Sequence, residues 1–373
     1  MGHLFPNRRE PVDYLMVLRG AAAIGVLLSH VFCIGGLSIG AIVTNGQYMY
    51  VLHQEPFEAW QTVVEILTPL LGQSFVILFF VQSGYLMGKV FFDGRYDASS
   101  GKRGFYWARY LRLAPLLYFN LVICIGLYRF ADLSPIKMVG DFLFITNFTG
   151  VGINAVTWSL SHEMQYYLIA PFIFLAFRRA DGKALAGALA LVVVTFLIGI
   201  FVPPFAFVYA FLAGFTVNLL PKRPTSVGMK RLGLLLGLPV LYLGFNGLSF
   251  IHLPDLAGGL TVLVASWLVH LCERPAKEKS APMILRVFVL TGYLTYGIYL
   301  WHYVIIMTRA SDFADLARSI AGALGLRFWQ TVFLYHAMEL IGVLIASYIL
   351  AYATFILIEA RFRPTLYSGL SRK

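Results

Sequence analysis

Apolar segments long enough to cross a membrane recur along the whole of this 373-residue chain. A membrane-spanning helix needs about 20 mostly apolar residues. Segments of about that length lie near residues 14–35, 70–92, 111–128, 158–177, 184–202, 205–220, 232–250, 256–272, 287–308 and 330–358. Only 13% of the residues are charged, whereas soluble domains contain about a quarter. The sequence therefore predicts an all-α polytopic integral membrane protein, a bundle of about ten transmembrane helices. We expect a single domain over residues 1–373 with no fused soluble domain.

The formal net charge of +11 would suggest a nucleic-acid partner in a soluble protein, but the distribution of the charge has another explanation. If the N-terminus is cytoplasmic, the inside segments hold 23 of the 29 lysines and arginines and the outside segments hold five. Because basic residues concentrate on the cytoplasmic side of membrane proteins, both termini are predicted to be cytoplasmic, most simply in the bacterial inner (plasma) membrane. The basic segments are also a surface for anionic lipid or ligand, and no nucleic acid is expected.

The stretch 134–157 is too polar and too rich in glycine for a clean span, and counting it as one would spoil the charge bias. Irregular backbone is tolerated at membrane depth only where protein or water covers it. We therefore expect a re-entrant or interfacial element on the outer side, where the loops near 36–60 and 309–329 also lie.

Arg19 and His30 lie inside the first predicted span. Eleven residues at about 100° each bring their side chains to within roughly 20° of one helix face, about 16 Å apart along the axis. Ionisable groups are costly in lipid, so a functional role is the default hypothesis for both. One face of this helix thus carries a cation at one depth and an acid–base group about three turns further out.

Two further motifs flank the first cytoplasmic loop. Phe79-Phe80-Val-Gln-Ser83-Gly84 offers small residues that allow helices to approach closely, or a catalytic Ser83. Arg103, Arg109 and Arg112 form a basic cluster with Lys102. Arg109 and Arg112 are three apart and share a helix face, so they can grip phosphate as charge-assisted forks, although plain positive-inside anchoring also explains them.

Two later motifs lie at the outer ends of spans. Trp158-Ser-Leu-Ser-His162-Glu163 places a carboxylate among aromatic residues, where it can orient an imidazole or simply support a helix start. His162-Glu163 is not a zinc motif, since no histidine follows four residues later, and no metal is expected. Tyr296-Gly-Ile-Tyr-Leu-Trp-His302 combines an aromatic belt with a histidine that can act as a hydrogen-bonding group.

In this order, these motifs resemble those of the acyltransferase-3 family of membrane O-acyltransferases over nearly the whole chain. Arg19-x10-His30 is similar to the first-helix motif of the family, Phe79-Phe80-Val-Gln-Ser83-Gly84 to its Phe-Phe-x-x-Ser-Gly motif, and Arg109-x-x-Arg112 to its cytoplasmic arginine pair. Later signatures of the family resemble Trp158-Ser-Leu-x-x-Glu163 and Tyr296-Gly-Ile-Tyr-Leu-x-His302.

The resemblance implies a cytoplasmic acyl donor, usually acetyl-CoA, and a hydroxyl acceptor, often a carbohydrate or glycolipid of the cell envelope. Arg103, Arg109 and Arg112 are then expected to hold the donor phosphates, with Arg19 along the donor path. His30 is expected to act as a general base or to accept the acyl group itself. Glu163, if it reaches His30, would hold the ring. Ser83, Trp158, Tyr296 and His302 are expected to support the site.

Two other functions fit the residues. The first is acylation of a small metabolite such as an antibiotic. The second is a transporter or flippase of lipid-linked sugar, in which Arg19 and His30 relay a proton or bind substrate. Inverted internal repeats would favour transport, and none is evident in the sequence.

Overall fold

A computed structural model describes most of the chain. The described residues are 12–34, 41–44, 47–50, 71–98, 102–127, 134–150, 152–222, 224–250, 253–273, 282–325 and 328–362. The predicted outer loop near 36–60 and both termini lie largely outside them.

The described residues form helices and one short hairpin. The helices are α1 (Tyr14–Ile34), α2 (Leu71–Phe92), α3 (Lys102–Leu127), α4 (Pro135–Phe142), α5 (Thr146–Thr149), α6 (Trp158–Phe177), α7 (Gly182–Phe201), α8 (Val208–Thr216), α9 (Val227–Phe250), α10 (Pro254–Cys272), α11 (Met283–Leu324), α12 (Phe328–Thr354) and α13 (Ala360–Phe362). Short 3-10 turns cover Ala155–Thr157, Pro203–Phe205 and Val217–Leu219, and a π-helical turn covers Phe355–Glu359. The antiparallel hairpin pairs β1 (Ala41–Thr44) with β2 (Gln47–Tyr50).

Eight of the described helices are long and apolar enough to cross a membrane, namely α1, α2, α3, α7, α9, α10, α11 and α12. The two remaining predicted spans coincide with α6 and with the shorter apolar helix around α8. The chain is therefore an all-α polytopic integral membrane protein, as its sequence predicts.

Two helices are longer than the apolar pattern predicts. α3 begins at Lys102 rather than near residue 111, so the arginine cluster is helical. α11 has 42 residues, about 63 Å of helix against a hydrocarbon core of about 30 Å. Beyond the apolar segment, the ion pairs Arg309–Asp312 and Arg318–Asp315 support the helix. It ends where Gly325 adopts the left-handed conformation of a helix cap.

The stretch 134–157, the predicted interfacial element, forms α4, α5 and a 3-10 turn among its described residues rather than one continuous helix. Its centre is Asp141, which accepts hydrogen bonds from the backbone N–H of Ile153 and from the hydroxyl of Thr157. The side-chain amide of Asn154 donates to the Asn120 side chain at 2.9 Å and to the Leu300 carbonyl at 3.2 Å. These bonds attach the element to α3 and α11.

Glycines bring the helices that carry the motifs close together. A Cβ on Gly20 of α1 would lie 2.0 Å from the Phe288 carbonyl oxygen of α11, and one on Gly84 of α2 would lie 1.8 Å from that of Phe211 in α8. No side chain fits at either contact. The motif residues of α1, α2 and α11 are therefore held at fixed depths against their neighbours.

Candidate active site

The side chains of His30 on α1 and His302 on α11 face each other edge to edge, with nearly coplanar rings. Their ring centroids are 5.0 Å apart and the ring planes differ by 2°. Nδ1 of His30 lies 2.7 Å from Nε2 of His302, which is hydrogen-bonding distance. The close contact of α1 with α11 thus joins two histidines that are 272 residues apart in the sequence.

A backbone carbonyl determines which nitrogen of each ring carries a proton. Nδ1 of His302 lies 3.0 Å from the carbonyl oxygen of Ile298. A carbonyl only accepts, so Nδ1 of His302 is the donor and its Nε2 keeps a lone pair in the neutral ring. His30 must then donate from Nδ1 to that lone pair. Nε2 of His30 is left with the free lone pair that a base or nucleophile needs.

Nε2 of His30 lies beside the first turn of α2. A Cβ on Gly72 would be 3.7 Å from this nitrogen, so the glycine keeps the space next to the lone pair open. The backbone N–H of Gly72 donates to the Ser29 hydroxyl at 2.7 Å. This bond fixes the start of α2 beside His30. Ser29 and Gly72 belong to no motif that the sequence analysis singled out, and only contact in space identifies them.

Five of the predicted site residues line one cavity of about 50 Å³ inside the helix bundle. Each comes from a different helix, and they are Arg19 (α1), Ser83 (α2), Arg112 (α3), Glu163 (α6) and Tyr296 (α11). The wall carries two cations, Arg19 and Arg112, and one carboxylate, Glu163, among apolar, aromatic and hydroxyl side chains, so basic groups are in excess by one. Such a wall suits a ligand with an anionic group and an extended apolar part.

Glu163 contacts residues of this cavity. It accepts a hydrogen bond from the Ser83 hydroxyl at 3.0 Å and a short one from the Tyr167 hydroxyl. The ring partner of His30 is His302 instead. Ser83 is eleven residues along α2 from Gly72, about 16 Å in axial distance. Glu163 is therefore hydrogen-bonded to Ser83 and Tyr167, and the side chain that contacts the His30 ring is His302.

Tyr299 connects the cavity with the histidine pair. It lines the cavity, and its ring centroid lies 5.8 Å from that of His302. The Tyr299 hydroxyl is 2.7 Å from the hydroxyl of Ser159 and donates to the Val156 carbonyl at 3.0 Å. The interfacial element thus holds the aromatic ring that separates the cavity from His302.

The arginine cluster is divided between two sites. Arg112 lines the cavity, whereas Arg109 and Arg103 line a separate groove of about 780 Å³ between α3 and α6. The Arg109 guanidinium is buried over the rings of Phe105 and Tyr167, at 5.4 and 5.9 Å from their centroids. The expected joint grip of Arg109 and Arg112 on one phosphate is therefore not the arrangement seen, because their side chains border different spaces.

The remaining motif residues support these elements. Trp158 packs its ring against Phe80 and Phe207, with centroids 6.1 and 5.2 Å away. The Tyr296 hydroxyl donates to the Leu113 carbonyl at 2.6 Å and so links α11 to α3. His162 makes its ring hydrogen bond with the Trp158 carbonyl at 2.9 Å, away from the histidine pair.

The comparison with known families agrees with this arrangement of motifs. The family Acyl_transf_3, described as an acyltransferase domain, matches residues 12–358, nearly the whole chain. Comparisons with curated proteins and with solved structures give no significant match. The chain belongs to the acyltransferase-3 family, and it is a membrane acyltransferase.

Proposed function

We propose that the chain is an O-acyltransferase that moves an acyl group, in the first instance acetyl, from acyl-CoA to a hydroxyl of a cell-envelope carbohydrate or glycolipid. The observation that carries this proposal is the lone pair on Nε2 of His30. Its ring is held by His302, and the space beside it is kept open by Gly72. A hydroxyl acceptor needs such a base, and a thioester needs such a nucleophile.

The cavity suits the arm of a CoA thioester. Arg19 lies eleven residues before His30 on one helix face, about 16 Å along the axis. The pantetheine arm of CoA is about as long as five residues of extended chain, roughly 16–18 Å. A donor whose anionic end is held near Arg19 and Arg112 is therefore long enough for its thioester to span the distance to His30. The Tyr299 ring, which lies between the cavity and His302, has to move aside for it.

Two routes start from the same lone pair. In direct transfer, Nε2 of His30 takes the acceptor proton while the hydroxyl oxygen attacks the thioester carbonyl. The C–S bond then breaks, and the imidazolium returns the proton to the thiolate. In the covalent route, Nε2 attacks the carbonyl first, the C–S bond breaks, and CoA leaves as its thiolate while the ring becomes an acyl-imidazolium. The acceptor hydroxyl then attacks the acyl carbon, the C–N bond breaks to restore the Nε2 lone pair, and the hydroxyl proton passes to the thiolate. In both, His302 holds the ring and shares the positive charge that develops on it.

The charge bias of the sequence supports a donor site on the cytoplasmic side and an acceptor that arrives from outside. With both termini cytoplasmic, α1 runs outward, so Arg19 lies nearer the cytoplasm than His30. An envelope carbohydrate outside a bacterial inner membrane would meet the acyl group at the His30 end. No metal is required by either route.

The test measures thiol release from acetyl-CoA by the purified protein, alone and with candidate glycans and hydroxyl-bearing metabolites. We expect an acceptor-dependent release that His30→Ala abolishes. The control is His270→Gln, which alters a partly buried histidine near the Glu273 carboxylate, far along the chain from the pair. Thiol release that is the same in wild type and His30→Ala would contradict the proposal. Transport of lipid-linked sugar without acyl transfer would identify a transporter instead.

A further inference from the structure

The groove between α3 and α6 has the features of a binding site of its own. Its α3 wall carries Arg103, Tyr106, Trp107, Arg109 and Tyr110, and its α6 wall carries Met164, Tyr167 and Leu168. At about 780 Å³ it is much larger than the cavity inside the bundle. The Tyr106 hydroxyl donates to the Leu168 carbonyl at 3.0 Å and joins the two walls.

Arg109 is a buried cation at this groove, and it makes no direct ion pair among the described residues. Its side chain is only 6% exposed. Among the described residues no carboxylate pairs with it, and its Nε has no hydrogen-bond partner. Two aromatic rings hold it in place. Glu163 stabilises the cation only at longer range, behind Tyr167, which donates to it. A buried charge normally has a direct counter-charge, so the place beside Arg109 in the groove suits an anion.

The rim of the groove carries large exposed apolar side chains. Trp107 is 60% exposed and Leu168 is 54% exposed, and Phe172 on the same side of α6 is 56% exposed. Large apolar side chains that project from a transmembrane helix contact the acyl chains of the bilayer. Lys102 lies over the Phe172 ring, 4.6 Å from its centroid, and adds a cation at the same end. A nucleotide in this position would have to bury its polar head against lipid, which is costly.

We propose that this groove binds an anionic phospholipid. Arg109 and Arg103 would hold the headgroup phosphate as charge-assisted donors, and the lipid tails would lie along Trp107, Tyr110 and Leu168. Lys102 marks the end of α3 that the charge bias predicts to be cytoplasmic, which is where anionic lipid is usually concentrated. Arg112, three residues further along, remains with the donor in the cavity.

A lipid in the groove would be next to the proposed reaction path. Tyr167 lines the groove, and its hydroxyl donates to Glu163, which lines the cavity. Binding in the groove that moves Tyr167 would therefore also affect Glu163 in the cavity. The inference does not depend on the proposed acyl transfer, because lipid binding can be measured without turnover.

The test uses the full chain in phosphatidylcholine nanodiscs with and without phosphatidylglycerol, and native mass spectrometry counts the retained phosphatidylglycerol. Arg109→Ala should weaken its retention about tenfold or more, since a hydrogen bond to a charged group contributes about 1.5–3 kcal/mol. Arg103→Ala, at an exposed site that tolerates substitution, should weaken retention in the same direction. Arg179→Ala, an exposed arginine at the end of α6, should leave it unchanged.

Unchanged phosphatidylglycerol retention in both Arg109→Ala and Arg103→Ala would overturn the proposal. The same variants are titrated with CoA in nanodiscs of phosphatidylcholine alone. A loss of CoA affinity in Arg109→Ala, with lipid retention intact, would show that the groove binds the donor nucleotide instead. Arg109→Lys separates charge from geometry: it should retain lipid better than Arg109→Ala but less well than wild type, because it lacks the planar fork.

Discussion

His30 and His302 lie in parallel planes with Nδ1 of the first 2.7 Å from Nε2 of the second. The Ile298 carbonyl anchors the far side of His302, so a three-member chain of hydrogen bonds orients the lone pair of His30. In a serine-protease triad, a carboxylate holds the imidazole in one orientation and in one tautomer. Here a neutral histidine supplies the same orientation without placing a second formal charge in the membrane.

Replacement of His302 should impair acyl transfer by its effect on His30. We expect His302→Ala to lower turnover by about 10–10²-fold, less than the 10²–10⁴-fold contribution typical of the base itself. His302→Gln should recover part of the loss, because its amide oxygen can accept the proton of His30 Nδ1. Steady-state kinetics would show the effect in kcat with little change in the KM for donor. Equal losses in His302→Ala and His302→Gln would contradict the positioning role.

Substitutions of Ser83 and of Gly84 should have different effects, because Gly84 allows two helices to pack closely whereas Ser83 makes one hydrogen bond. Gly84→Ala would push a methyl group into the Phe211 backbone, so we expect aggregation or loss of folded protein by size-exclusion chromatography. Ser83→Ala removes one hydrogen bond to Glu163, worth about 1 kcal/mol, and should fold normally. A loss of turnover above a thousandfold in folded Ser83→Ala would instead make Ser83 a nucleophile.

The two arginines of the Arg109-x-x-Arg112 motif should differ in their effect on donor affinity. Arg112 lines the cavity with Arg19, so Arg112→Ala should weaken acyl-CoA binding by about 1.5–3 kcal/mol. Arg109→Ala should leave the donor Kd nearly unchanged, since its side chain borders the groove between α3 and α6. Isothermal titration of the two variants makes the comparison. Equal losses of affinity would restore the joint phosphate grip that the sequence predicts.

The sequence predicts well those features that depend on local pattern. The spans follow from apolar length, and the polar residues and glycines near 134–157 explain why this stretch forms short helices rather than one long helix. Half of the predicted site residues also lie together, since Arg19, Ser83, Arg112, Glu163 and Tyr296 line one cavity. The pairing of side chains could not be predicted in the same way.

The contact of His30 with His302 depends on how α1 packs against α11, and one helical turn of sliding would break it. The separation of Arg109 from Arg112 likewise depends on where α6 lies against α3. Three residues on a helix are about 300° apart, which leaves roughly 60° between the two side chains. That angle is enough for neighbouring helices to divide them between two spaces. Such tertiary relationships have no signature in a single sequence.

Topology is predicted by the charge bias and can be tested with cysteines at described, exposed positions. A cysteine replacing Asp312, beyond the apolar part of α11, should react with a membrane-impermeant maleimide in intact cells. A cysteine replacing Arg179, at the opposite end of α6 from Trp158, should react only after the cells are opened. Native Cys124 and Cys272 are buried, and Cys33 would be replaced by serine. Labelling of the Arg179→Cys variant in intact cells would show that the orientation is opposite to the predicted one.

Asp141 should make the stability of the protein depend on pH. Burial raises the pKa of its carboxyl group to about 6, although hydrogen bonds from Thr157 and the backbone of Ile153 act in the opposite direction. In the unfolded chain an aspartate titrates near 3.9. Between these values the folded protein keeps the proton that the unfolded chain has lost. The free energy of unfolding should therefore fall as pH rises from about 4 to 6, by roughly 3 kcal/mol at most, and then stay level.

The measurement compares the thermal unfolding of wild type and Asp141→Asn in detergent across this pH range. The variant keeps an oxygen that accepts a hydrogen bond but cannot titrate, so the Tm of wild type relative to the variant should decrease between pH 4 and pH 6. Asp315→Asn, at an exposed carboxylate paired with Arg318, should show no such trend. A relative Tm that rises with pH would mean that the hydrogen bonds outweigh burial. Asp141 would then hold the interfacial element, and with it Tyr299, as an ionised carboxylate.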